Sequence, residues 1–302
     1  MLILEIQKII STKTQELDAW LRWYFERLGT KKRYPRYLVE AAEYSLFSGG
    51  KRIRPVLTLL INEACGSPSK RALPIAAAIE MIHVYSCIHD DLPAMDNDDF
   101  RRGRKTCHKQ YDEATAILAG DALLTEAFAV LSLVEDSDLL GELIRQLVEA
   151  AGFQGMVAGQ AADIAAERRP EGAEKGDEEE LRFIHAHKTG GLLIASAVLP
   201  GIVNRLSDDK IVLLRQFGEG LGIVFQIVDD ILNETADEAT LGKPTGTDRE
   251  SGKLTWVTLH GLDAARRMAR EELTRTLAAI EFFGEAGASL HALAQYVLER
   301  DR

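Results

Sequence analysis

Carboxylates gathered at two places in this chain have the types and spacing for metal-assisted phosphate chemistry. One group is Asp90, Asp91 and Asp96 in HDDLPAMDNDDFRRG; the other is Asp229 and Asp230 in FQIVDDILNE. Like charges this close repel one another unless a cation lies between them. Hard oxygen ligands suit Mg²⁺, which keeps several waters and shares substrate phosphates with one or two protein carboxylates. Two such groups facing each other would make a diphosphate-binding cleft. The first group runs directly into Arg101, Arg102, Arg104 and Lys105, so metal ligands stand beside donors for phosphate oxygens. A third, basic group, Lys51, Arg52 and Arg54 in FSGGKRIRP, follows Gly49 and Gly50, which let backbone approach a ligand closely. Its cations would clamp a second diphosphate without metal. The ordinary readings are a solvated helix end for the second acidic pair and a solvated basic turn for GGKRIRP.

These side chains need rigid supports, and the hydrophobic pattern supplies helices. Leu17, Leu21, Tyr24 and Leu28 recur at three- and four-residue steps, as do Ala76, Ile79 and Ile82, and Ile211, Leu214, Phe217 and Leu221. Each acidic group follows such a stretch. Asp229 and Asn233 share a helix face, with Asp230 one position round, and Pro93 must end or distort the helix carrying the first group. Strand-like alternation is missing. The expectation is an all-α chain: one domain, residues 1–302, built as a large helical bundle with a central cleft. Two segments interrupt the pattern. Glu167 to Glu180 reads as a surface connection in which Asp177 and Glu180 cap the helix that begins near Leu181. Glu234 to Gly252, rich in Gly and charge directly after the second acidic group, is a candidate lid.

The totals exclude other classes. A net charge of −11 over 302 residues argues against a nucleic-acid binder. Cys65, Cys87 and Cys107 form no CxxC pair, which suggests a reducing compartment with neither a zinc site nor disulfides. The first twenty residues lack a signal-peptide core. The longest apolar run, around Leu192 to Val203, is broken by Pro200 and Gly201, so no stable membrane insertion is expected. The expected location is cytoplasmic.

GGKRIRP, IHVYSCIHDDLPAMDNDDFRRG, HKTGG, FQIVDDILN and GKPTGTD occur in the order and spacing of the trans-isoprenyl diphosphate synthases, the polyprenyl synthetase family, which this chain resembles. The resemblance implies an all-helical prenyltransferase that joins isopentenyl diphosphate to an allylic diphosphate through a carbocation. It implies Mg²⁺, up to three ions, on Asp90 and Asp96 with Asp91 in support, and on Asp229 with Asp230 acting through water. Arg101 would contact the allylic diphosphate. Lys51, Arg54, His83 and Arg102 would hold isopentenyl diphosphate. Lys188, Thr189, Gln226, Lys243 and Lys253 would line the allylic substrate, the three lysines neutralising the leaving diphosphate. A homodimer is expected from the family alone.

Chain length follows from helix geometry. Tyr85 and Ser86 lie five and four residues before Asp90, about 6–7.5 Å down the helix axis. A ring at Tyr85 would floor a short product, and with the two-residue insertion in the first motif it resembles bacterial farnesyl diphosphate synthases. The alternatives are a geranylgeranyl diphosphate synthase and, more remotely, a non-catalytic partner subunit. A terpene cyclase would not need the GGKRIRP clamp. A di-iron bundle, suggested by Glu80 and His83, would need a second ExxH pair. Two departures from the family pattern stand out: Asn233 where a last Asp is usual, and Trp256–Val257 where tyrosine–proline is usual. The Gly-rich runs at Gly152 to Gly159 and Gly218 to Gly222 read as sites of close helix packing. His89, His108, His185 and His187 read as satisfied polar groups.

Overall fold

The computed structural model describes residues 3–29, 35–170, 176–235 and 254–300. It divides into two compact units, Gln7–Ile144 and Arg145–Arg302 with Met1–Ile6. Among the described residues the fold is all-α apart from one two-residue ribbon.

The first unit takes most of α1 (Ile3–Gly29), then α2 (Arg36–Leu46), α3 (Ile53–Ala64), α4 (Leu73–Asp90), a ribbon of β1 (Phe100–Arg101) with β2 (Arg104–Lys105), α5 (Cys107–Gln110) and α6 (Glu113–Leu131). Its axis is α4. Ile75 through Ile79, Met81 and Ile82 are fully buried, as expected of a helix that is apolar all round. Helices α4 and α6 share the most extensive packing in the unit, and the small residues Ala76 to Ala78 of one and Ala116, Ala119 and Ala127 of the other are all buried. Asp112 starts α6 by accepting from the Thr115 amide at 2.8 Å. Helix α7 (Leu140–Ala151) begins at the end of this unit.

The second unit contains α8 (Met156–Glu167), α9 (Glu178–His185), a π turn (Ala186–Gly190), α10 (Gly191–Val203), α11 (Asp208–Thr235), α12 (Trp256–His260), α13 (Leu262–Ala278) and α14 (Ala288–Glu299). The 28-residue α11 packs against α10 and α13. Gly218 to Gly222 lie inside it, in a helix and not a nucleotide loop. The predicted cap forms in part: Asp177 accepts from the Glu180 amide at 2.9 Å, but α9 starts at Glu178, and Glu180 pairs with Arg169 at 2.5 Å.

Three helical stretches, Glu113–Leu131, Glu178–Val203 and Asp208–Thr235, are long and apolar enough to cross a membrane, although no unbroken apolar run of that length was expected. Their scattered small and apolar residues raise the average. In the Glu178–Val203 stretch, 72% of the most apolar window is buried against the protein itself.

Candidate active site

In the first unit, α4 stops where Pro93 requires it, and the chain folds back. The Asp96 amide donates to the Asp90 carbonyl at 2.8 Å, and the Asn97 amide to the Leu92 carbonyl at 3.1 Å. This turn sets Asp90 and Asp96 at the helix end, partly and fully exposed, while Asp91 turns inward and is buried. The Asp91 carboxylate accepts from Arg101 Nε at 2.7 Å. Burial works against the charge of Arg101, but Cys87, Asp91 and Asp90 raise its pKa above the usual value. Arg101 is thereby fixed by the ribbon behind the carboxylate turn.

The basic side is assembled around Gly49 and Gly50. Arg102, with a left-handed φ of 53°, donates from Nη1 to the Gly49 carbonyl. Its guanidinium lies against Gly50, whose φ of 122° falls in the region that glycine adopts freely. Burial, then the charges of Arg54, Arg102, Arg101 and Arg52, hold the His83 pKa well below the ordinary histidine value. His83 is therefore neutral near pH 7 amid arginines. Arg52 departs from the expected clamp. It is buried at a φ of 50°, bound to Glu80 at 2.5 Å, to Asp18 at 3.2 Å and to the Leu46 carbonyl. Its left-handed backbone at the start of α3 sends the side chain into the core, where the acidic partners hold it. Glu80 is thereby committed, which removes the di-iron reading.

Tyr85 is buried one turn below Asp90, its ring 5.7 Å from that of His89 in an edge-to-face arrangement. Burial, with Asp90 nearby, pushes its phenol up to about 12. His89 Nε2 donates to the Ile117 carbonyl at 3.1 Å, which ties this pair to α6. Ser86 donates to the His83 carbonyl at 2.9 Å. Cys65, Cys87 and Cys107 are not joined in disulfides.

In the second unit, α11 carries Gln226, Asp229, Asp230 and Asn233. Asp229 Oδ1 accepts from Arg300 Nη2 at 2.6 Å, and the same nitrogen donates to the Phe225 carbonyl at 2.8 Å. Asp230 is buried, and its Oδ2 accepts from the Trp256 amide at 2.8 Å. The Trp256 indole, wholly buried with Leu181, Ile227, Ala265 and Ala269, donates to His185 Nδ1 at 2.9 Å. The departure at Trp256 thus has a structural account: one residue ties α11 to α9 while capping an acidic side chain. Asn233 Oδ1 is buried with no hydrogen-bond partner among the described residues.

The π turn presents Lys188 and Thr189. Lys188 Nζ lies 2.5 Å from Asp163 Oδ2 of α8, and Thr189 donates to Gln226 Oε1 at 2.5 Å. A Cβ on Gly159 would lie 2.0 Å from the Lys188 amide nitrogen, so α8 reaches the turn only because it carries glycine there. π turns of this kind are frequent at functional sites. Lys243, Lys253 and nearly all of the candidate lid fall outside the described residues. Of the four histidines read as satisfied polar groups, His187 donates to the Phe183 carbonyl at 2.7 Å, whereas His108 meets Thr106 at 3.1 Å through Nδ1 but has its Nε2 buried with no hydrogen-bond partner among the described residues.

Sequence reasoning missed Arg300 and Asp163. An aspartate in the small-residue run GQAADIAA was a usable signal, since Asp is seldom buried without a partner. Arg300, in the charged run ERDR, gave none.

The donors fit Mg²⁺. They are hard oxygens, and Asn233 offers a buried acceptor oxygen that nothing described satisfies. Among the described residues no three acidic, His or Cys side chains converge to hold an ion unaided.

Comparison with known proteins agrees with this chemistry. The Polyprenyl synthetase family profile matches residues 35–286, and the chain belongs to that family. It is 40% identical over 302 residues to a farnesyl diphosphate synthase of Geobacillus stearothermophilus, covering 99% of each. It is 43% identical over 275 residues to a chloroplastic geranylgeranyl pyrophosphate synthase of Catharanthus roseus, covering 89% of this chain and 75% of that one. An apo FPP/GFPP synthase structure from Zymomonas mobilis superposes with a TM-score of 0.86 at 34% identity, covering 98% of this chain and all of the other.

Proposed function

We propose that this protein is a trans-prenyltransferase that condenses isopentenyl diphosphate with dimethylallyl or geranyl diphosphate, head to tail, to give mainly farnesyl diphosphate. The observation that carries the reading is near full-length similarity to a farnesyl diphosphate synthase, with both acidic motifs and the Gly49–Arg54 basic turn present. The family match spans both compact units, which supports treating residues 1–302 as one functional domain.

Each acidic motif would hold Mg²⁺ together with diphosphate: Asp90 and Asp96, with Asp91 in support, in the first, and Asp229, with Asp230 acting through water, in the second. The bound cations, up to three, would stabilise negative charge on the departing diphosphate. Lys188, steered by Asp163, adds a fixed positive charge on the leaving side. The Thr189 hydroxyl donates a hydrogen bond to Gln226 Oε1, which leaves its oxygen lone pairs to stabilise an allylic cation without trapping it. Lys51, Arg54, Arg102 and neutral His83 bind the second diphosphate, His83 by hydrogen bonding. Arg101, fastened to Asp91, would contact the allylic diphosphate. Holding both substrates in register contributes much of the rate enhancement. Tyr85, its ring fixed against His89, floors the hydrocarbon, with Ser86 beside it.

Chromatography of products from dimethylallyl and geranyl primers tests the reading. A fifteen-carbon product supports it. A twenty-carbon product favours the geranylgeranyl alternative, and no product refutes prenyl transfer. Tyr85→Ala should shift the product to longer chains; an unchanged length removes Tyr85 as the floor. The protein would act in the cytoplasm as a homodimer, without nucleic acid or stable membrane insertion.

A further inference from the structure

Arg300 is an unusual neighbour for a metal-ligating carboxylate. Its side chain is 2% exposed, whereas that of its partner Asp229 is 44% exposed. The guanidinium lies 3.7 Å over the Phe225 ring, and its Nε and Nη1 are buried with no hydrogen-bond partner among the described residues. Such burial is costly, and an apolar side chain of similar volume would commonly be no less stable. The arrangement holds one carboxylate oxygen from the core side and leaves Asp229 reaching solvent. It also places a positive charge 2.6 Å from the residue expected to attract Mg²⁺. Asn233 adds no charge to the motif, and Arg300 sets one positive charge directly against Asp229.

We infer that Arg300 is a positioning residue that makes the second acidic motif accept a divalent cation only together with a diphosphate. Alone, a cation meets a carboxylate already shared with a guanidinium. With a diphosphate, the added negative charge outweighs Arg300, which continues to orient the carboxylate. This rests on the prenyltransferase reading, since it presumes that Asp229 serves Mg²⁺.

The test is thermal melting of the full-length protein during Mg²⁺ titration, with and without inorganic pyrophosphate. Removing the charge with Arg300→Met should lower the Mg²⁺ midpoint about fivefold in the absence of pyrophosphate, and Arg300→Lys should restore it. With pyrophosphate present the difference should shrink. In an Asp229→Asn background the Arg300→Met shift should vanish. A shift below about twofold, or one that persists without Asp229, overturns the inference. Should Arg300→Met fail to melt cooperatively, Arg300→Gln, which keeps a donor for the Phe225 carbonyl, is read in the same way. If Mg²⁺ with pyrophosphate does not stabilise even the unmodified protein, the prenyltransferase reading fails along with it.

Discussion

The two acidic motifs use the same residue type in opposite settings. The first sits on a turn that Pro93 forces at the end of α4, and its buried member Asp91 is held by Arg101, ten residues on. The second sits within α11, and its supports come from far along the chain: the Trp256 amide, 26 residues away, and Arg300, 71 residues away. A turn brings its own partners, because local sequence folds back onto it. A helix face cannot, so its carboxylates depend on whatever tertiary packing delivers.

The largest test of this contrast is Asp90→Asn, which removes the charge of a half-buried carboxylate proposed to serve Mg²⁺ while keeping the side chain's size. It should lower kcat/KM about a thousandfold with little change in melting temperature. A large stability loss would mean that the first turn, too, depends on Asp90 for its shape. Asp91→Asn should behave in the opposite sense. Replacing the carboxylate weakens the hold on a largely buried Arg101, so stability should fall by about 2 kcal/mol in denaturant titration. Trp256→Phe keeps the amide and a smaller aromatic ring but deletes the indole donor to His185 and trims a wholly buried side chain. The loss should be about 2 kcal/mol in the same titration, hydrogen bond and cavity together, and a loss below about 1 kcal/mol would show that the bond to His185 does little to hold α12 against α9. Asn233→Asp should have the smallest effect, changing activity less than about threefold at saturating Mg²⁺. A gain of a hundredfold would show that the natural residue cripples the second motif.

How much was legible follows the same divide. The helices could be read because apolar spacing and burial have one cause, and α1, α4 and α11 lie over the residues whose periodicity predicted them. The end of α4 could be read because proline acts through its own ring. Arg52 could not: its charge resembles that of Lys51 and Arg54, and only the backbone angle decides that it points inward to Glu80. Arg300 and Asp163 were hidden because their roles exist only in tertiary pairs. Trp256 was noticed as a departure but stayed unexplained until its two hydrogen bonds, one from the main chain and one from the ring, were in view.

The π turn at Ala186–Gly190 also constrains how this chain can vary in length. It carries an extra residue within an otherwise continuous helical path, and each helical residue advances the rotation by about 100°. Deleting one position there would let the strand of residues relax into regular helix and swing everything on one side of it, turning Leu192 and Leu193 out of the interior or carrying Lys188 away from α8. Mutational libraries that allow insertions and deletions should therefore lose this stretch early.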